Sequence, residues 1–412
     1  VIKNVDVVNE GEIQRRDVYI KNGRFEKISP QIDTPVAVRE IDGEGLCLIP
    51  GLIDDQVHFR EPGLTHKACI ATESRAAIAG GVTSFMDMPN VQPASLNMSL
   101  LEERYAIASR TSPANYSFYL GVSNDNAEQA LEVNQHKQAV CGIKIFMGSS
   151  TGNMLVDNII TLEKIFAESE VLIATHCEQE HIIHQNRARL KAEGAELNHA
   201  RFHPIIRDVE ACYESSVSAM QLAKKFNTRL HILHITTEKE LQLFTNLFPL
   251  SEKRITSEVC VHHLHYTADD YEQYGNLIQC NPAIKAPHHK EAPSGLPLVQ
   301  HSLLMLLQAR REGRISLEKI VEKACHAPAQ CFQIRERGYI REGYHADFVL
   351  LDLKGETTVS KDQLYYRCGW STLEGQTLPG RIHATYVNGQ CVFALGSVIE
   401  GVCGQRLLFD RP

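Results

Sequence analysis

Seven apolar runs of strand length, separated by helix-like stretches, fill the middle of this sequence, and that alternation leaves few architectures open. The runs are 52–59, 83–88, 116–120, 142–147, 171–176, 229–235 and 256–261. Between them, stretches such as 101–109, 128–137 and 209–224 read as helices. Strand–helix alternation is the pattern of a parallel sheet covered by helices. The spacing predicts an α/β chain with a TIM-type (β/α)8 barrel, which needs about 250 residues. A chain of 412 residues therefore has room for a barrel and an accessory domain.

The two ends have a different character. Val5–Val8, Asp17–Ile20 and the run 37–41 are β-branched or alternating, and Asn22-Gly23 marks a hairpin turn. Residues 338–412 repeat this, with strand-like runs 348–351, 384–387 and 391–393 and a turn at Asn388-Gly389. We expect the ends, 1–50 plus 338–412, to meet in one small β-sandwich domain, with residues 51–337 forming the barrel.

Composition narrows the function classes. Net charge is −8 with no Lys/Arg-rich run, which argues against nucleic acid and anionic membranes as partners. No apolar run approaches the roughly 18 residues that a membrane span needs. The twelve cysteines are scattered without any Cys-x-x-Cys and read as buried reduced thiols, which predicts a cytoplasmic protein. The sequence opens Val-Ile-Lys-Asn-Val, without Met or a signal-type region, so its first few residues are expected to lie outside it.

Chemistry-bearing residues gather at the ends of the predicted strands. Gln56 and His58 are two apart and point to one side of the first strand, toward the mouth of a barrel. His176 and His234 each end an apolar run, a costly place for an unpartnered ring. One such histidine is as readily a hydrogen-bonded core residue as a ligand; several at successive strand ends favour metal. Neutral imidazoles suit zinc. Lys144 lies within Gly-Ile-Lys-Ile-Phe-Met, where burial should depress its pKa unless its tip reaches solvent. Arg60 offers a planar fork for a substrate carboxylate. His231 reads as a core or ligand-supporting side chain on the face opposite His234. His262, His263 and His265 read as packing residues near the mouth.

Gly51-Leu-Ile-Asp-x-x-Val-His-Phe-Arg-Glu-Pro-Gly63 resembles the signature of dihydroorotases in the amidohydrolase superfamily. The resemblance continues in order through the chain. It takes in Gly80-Gly81-Val-Thr-Ser-Phe-Met-Asp-Met-Pro-Asn90, Ile143-Lys144-Ile-Phe-Met-Gly, Thr175-His176-Cys-Glu178 and His231-Ile-Leu-His234. It also takes in Ser257-Glu258-Val-Cys-Val-His262-His263-Leu264, Cys280-Asn281-Pro282, Ala292-Pro-Ser-Gly295, Gly343-Tyr-His-Ala-Asp347 and Glu374-Gly375.

The resemblance implies a metal shell of His58, Lys144, His176 and His234. It implies zinc, one ion or two, with Lys144 N-carboxylated. It adds Asn90, Asn281 and His288 to Arg60 as substrate contacts. The reaction implied is reversible hydrolysis of L-dihydroorotate to N-carbamoyl-L-aspartate in pyrimidine biosynthesis, through a metal-activated hydroxide.

Two departures stand out. Gln56 occupies the first histidine position of the family's His-x-His, and an amide carbonyl is a poor zinc ligand. The family's eighth strand carries Asp-His-Ala-Pro-His, whereas here Ile284-Lys285 precedes Ala286-Pro287-His288, so the catalytic Asp cannot be named. A barrel short of a strand leaves sheet edges open. The missing stretch near 285–292 is therefore expected to be residues outside the sequence at hand and not a deletion. Two other readings stand beside the main one. One is a hydantoinase, dihydropyrimidinase or allantoinase, against which Arg60 argues. The other is a non-catalytic scaffold associated with an aspartate transcarbamoylase. A homodimer is the base-rate expectation.

Overall fold

A computed structural model describes residues 1–33, 39–148, 153–285 and 296–412. The chain forms two compact units. One comprises Val1–Asp87, Arg104–Ser117 and Leu298–Pro412; the other comprises Met88–Glu103 and Phe118–Pro297.

The first unit carries a nine-stranded sheet drawn from both ends of the chain. Ile2–Asn9, Glu12–Lys21 and Arg24–Ser29 form an antiparallel meander. Ile2–Asn9 also pairs in parallel with Cys47–Pro50, which pairs antiparallel with Phe348–Thr358. Thr377–Val387, Gln390–Ala394 and Ser397–Val398 continue the sheet. Asn22-Gly23 and Asn388-Gly389 turn their hairpins with φ of 51° and 77°, and of 51° and 75°. Consecutive positive φ values give the turn twist that matches paired strands. Glu10-Gly11 makes a further turn of this kind, which the sequence hides because Glu seldom adopts a left-handed backbone. Ile2, Val5, Val18, Phe25, Leu48, Phe348 and Leu350 pack into the core of this sheet. Phe348 stacks on Tyr386 at 4.4 Å between ring centroids.

A buried polar knot ties that sheet to the barrel-type strand Asn115–Phe118. Asp347 accepts from the Asn388 backbone N–H at 2.7 Å and from Asn115 Nδ2 at 3.2 Å, and it pairs with Arg337. Arg337 also reaches Asn388 Oδ1 at 2.8 Å, and Asn388 Nδ2 donates to Asn115 Oδ1 at 2.9 Å. Leu52–Val57 pairs in parallel with Val82–Asp87, which neighbours Asn115–Phe118.

The second unit holds a five-stranded sheet in the order Ile255–Ser257, Leu230–Ile232, Ile173–His176, Ile143–Phe146 and Leu120–Gly121, with parallel neighbours throughout. Its register puts Lys144, Ala174, His231 and Thr256 at one level, and register partners share a face. The helix Val209–Phe226 starts where Asp208 accepts from the Ala211 N–H and ends at left-handed Asn227, φ 54°. Ala211, Ser215, Ala219 and Ala223 recur every fourth residue on its buried face, a small-residue stripe that permits close packing.

Some expected boundaries shift. The run 256–261 is a strand only as far as Ser257, and Val261–His265 is a short helix. The stretch 128–137 divides into Ala127–Leu131 and a 3-10 turn, Glu132–His136. All twelve cysteines are free thiols, but Cys368 and Cys403 are exposed, so burial does not hold for every one. Lys285 and Ala286 are adjacent in the full sequence, and 286–295, with His288, lies outside the described residues. Among the described residues, no helix is long and apolar enough to cross a membrane.

Candidate metal and substrate site

In the second unit the strand ends bring His176 and His234 together. His176 is the last residue of Ile173–His176, and His234 lies two residues beyond Leu230–Ile232 with a left-handed φ of 43°. A non-glycine residue there carries strain of about 1–3 kcal/mol. His176 Nδ1 faces His234 Nε2 at 3.1 Å, with the rings nearly perpendicular.

Glu178 fixes the chemistry of that pair. Its Oε2 sits 2.7 Å from His176 Nε2 and also pairs with Arg207. Burial alone would push this carboxyl up, but Arg207 and His176 outweigh it and hold it down at about 2. An ionised Glu178 accepts, so His176 Nε2 carries the proton and its Nδ1 presents a lone pair to His234. Burial keeps His176 neutral against the pull of Glu178. Two ligand nitrogens on one tetrahedral zinc lie about 3.4 Å apart. The 3.1 Å between the His176 and His234 nitrogens is thus close to the spacing of two residues that could hold one divalent cation.

Lys144 is fully buried on Ile143–Phe146, two register levels below His176 and so on the same face. Desolvation drops its pKa from 10.5 to about 7. Its Nζ reaches the Ile145 carbonyl at 3.3 Å and lies 4.3 Å from the Phe146 ring centre. His231 shares the Lys144 level and face. Its Nδ1 is 2.8 Å from Thr256 Oγ1, and its Nε2 is 3.6 Å from Glu258. The strand ends at Ile232 and His234 has a left-handed backbone, so strand alternation does not set how His234 faces relative to His231. Asn90 is buried and Asn281 half-buried in the same unit.

His58 and Arg60 belong to the first unit. His58 follows Leu52–Val57 and is half-buried, as is Gln56 within that strand. Arg60 has a left-handed φ of 65°. Asp87 anchors its turn by accepting from the Phe59 N–H at 3.1 Å, while pairing with fully buried Arg104. Burial lowers the Arg60 pKa and Asp87 opposes that shift. Asp54, which accepts from the Gln56 backbone N–H at 3.1 Å, is a half-buried carboxyl pushed up to about 7 by desolvation and by Asp55.

Asp54, Asp87 and Glu178 stand within the motifs quoted from the sequence but had no role assigned there, and Arg207 was passed over altogether. Glu178 was within reach, two residues past His176 and so on the same side. Arg207 gave no signal, because its partner lies 29 residues earlier in the chain.

Comparison with known proteins gives this geometry a context. The dihydro-orotase-like family model matches residues 45–240, and the amidohydrolase family model matches residues 293–392. An allantoinase of Solibacter usitatus is 29% identical over an alignment of 448 positions, covering 99% of this chain and 96% of that protein. A dihydroorotase of Methanothermobacter thermautotrophicus is 28% identical, covering 96% and 93%. The solved L-hydantoinase (dihydropyrimidinase) of Arthrobacter aurescens superposes with a TM-score of 0.91 at 24% identity, covering 99% of both chains. That likeness establishes the α/β barrel fold.

Proposed function

We propose, from the premise that this chain is a dihydroorotase-like member of the amidohydrolase superfamily, that it hydrolyses L-dihydroorotate reversibly to N-carbamoyl-L-aspartate. Hydrolysis of a cyclic amide is the class of reaction. Arg60 carries the choice of substrate. Its guanidinium sits on a strained turn anchored by buried Asp87, and its fork suits a carboxylate. The hydantoin ring has carbonyl oxygens but no carboxylate for that fork to pair with. In this reading Asn90 and His288 join Arg60 in holding the carboxylate, and Asn281 adds a further polar contact to the substrate.

The metal of the superfamily fits the donors in the second unit. His176 and His234 would hold it, with Lys144 and His58 completing the shell. An ion there supplies a Lewis acid for the amide carbonyl and a water of lowered pKa. The chain's own groups do the rest. Glu178 holds the His176 tautomer, the Lys144 amine is neutral above about pH 7 and so open to carboxylation, and Arg60 orients the substrate. Gln56 in place of a histidine favours one ion over two. A cytoplasmic homodimer belongs to this proposal as the commonest assembly.

Gln56, together with the absence of an Asp-His-Ala-Pro-His segment, supports a second reading: a non-catalytic subunit that scaffolds an aspartate transcarbamoylase. Zinc content and dihydroorotate turnover measured on one sample separate the two. Turnover sinks the scaffold. Turnover of hydantoin or allantoin without dihydroorotate sinks the substrate assignment. Arg60→Met should raise KM for dihydroorotate roughly tenfold to a hundredfold, the worth of a charge-assisted contact.

A further inference from the structure

A separate cluster of soft ligands follows the last described strand of the second unit. Cys260, His262 and His263 bring one ligand atom each within 4.8 Å of one another. The short helix Val261–His265 arranges them, with Cys260 at its N-cap and the two imidazole rings 4.2 Å apart between centroids. The tautomer of His263 follows from its partner. Its Nε2 lies 3.2 Å from the Pro282 carbonyl, which only accepts, so Nε2 carries the proton. Nδ1 is then a bare lone pair, buried and without a hydrogen-bond partner among the described residues. Burying such an atom unsatisfied is unfavourable. Burial also lowers the pKa of both rings, His262 to about 4, so each stays a neutral ligand at pH 7.

We propose that Cys260, His262 and His263 bind a second zinc-type cation, distinct from the His176–His234 centre and open to water at its fourth position. A thiolate with two neutral imidazoles selects a borderline-soft divalent ion over magnesium or calcium. The Cys260 thiol releases its proton to solvent as the ion binds, and no redox change is involved. The ion would lock the helix Val261–His265 against the turn at Pro282.

Cobalt(II) titration of the full chain tests this, because only a thiolate ligand gives a near-ultraviolet sulfur-to-cobalt charge-transfer band. The band should appear in the unaltered chain, vanish in Cys260→Ser and persist in Cys177→Ser and in His176→Asn/His234→Asn. Bound zinc, measured by mass spectrometry after dialysis, should fall by one equivalent in Cys260→Ser. His262→Gln provides a second reading that keeps the thiol, and there the band should weaken at one cobalt equivalent. A circular-dichroism melt confirms that each variant is folded. Absence of the band in the unaltered chain, or its survival in folded Cys260→Ser, would overturn the proposal.

Discussion

Glu178 does for His176 what no other described side chain does: it sets which ring nitrogen is bare. Glu178→Gln removes the negative charge that selects the tautomer and leaves Arg207 facing a neutral amide. Zinc affinity by calorimetry should fall about 10–100-fold, as for other groups that orient a metal-binding histidine. Unchanged affinity would show that His234 alone sets the pair. Lys144 makes a different prediction. Its folded pKa of about 7 lies below the 10.5 of a free lysine. Between those values the unfolded chain holds a proton that the folded chain lacks, so stability rises with pH across the window. The penalty is full below about pH 7. In chelator-treated protein the unfolding midpoint should therefore climb from pH 7 to 10, and Lys144→Met should flatten the climb. A slope that survives that substitution would remove Lys144 as its source.

At the scale of elements, strand ends were legible and their supports were not. His176 and His234 showed themselves because each closes an apolar run where a polar ring needs a reason. Lys144 stood out for the same reason. Glu258 and Thr256 around His231 stayed hidden, since they come from a neighbouring strand and only register brings them together. The helix Val261–His265 was unreadable as well, because five residues are too few for a helical period to emerge. Gly148 illustrates a constraint that sequence cannot show. A Cβ built there would meet the Glu178 carbonyl oxygen at 2.0 Å, so the loop after Ile143–Phe146 must run against the loop after Ile173–His176. Gly148→Ala should destabilise the fold by about 1–3 kcal/mol in urea titration and shift the Glu178 backbone. An unaltered midpoint would mean that the contact relaxes freely.

For the whole molecule, the family pattern accounts for the chain's breadth but not for its losses. The alignment with the Solibacter usitatus allantoinase spans 448 positions, whereas this chain has 412 residues, which agrees with a stretch present in relatives and absent here. Where the segment 286–295 runs lies outside the described residues. The Asp347 knot has the opposite standing: each partner is described and buried. Asp347→Ala strands Arg337 without its carboxylate, a change that typically destabilises by about 3–5 kcal/mol. Chemical denaturation should register that loss, and a change below about 1 kcal/mol would mean that water replaces the carboxylate.

The nine-stranded sheet also sets an order of events during synthesis. Cys47–Pro50 is made early, but its neighbour Phe348–Thr358 emerges some three hundred residues later. Until then the growing chain presents an unpaired apolar edge, since all four residues from Cys47 to Pro50 are buried in the finished fold. The nascent protein therefore spends most of its translation with its first sheet half built, which leaves this edge open to mispairing until the C-terminal strands arrive.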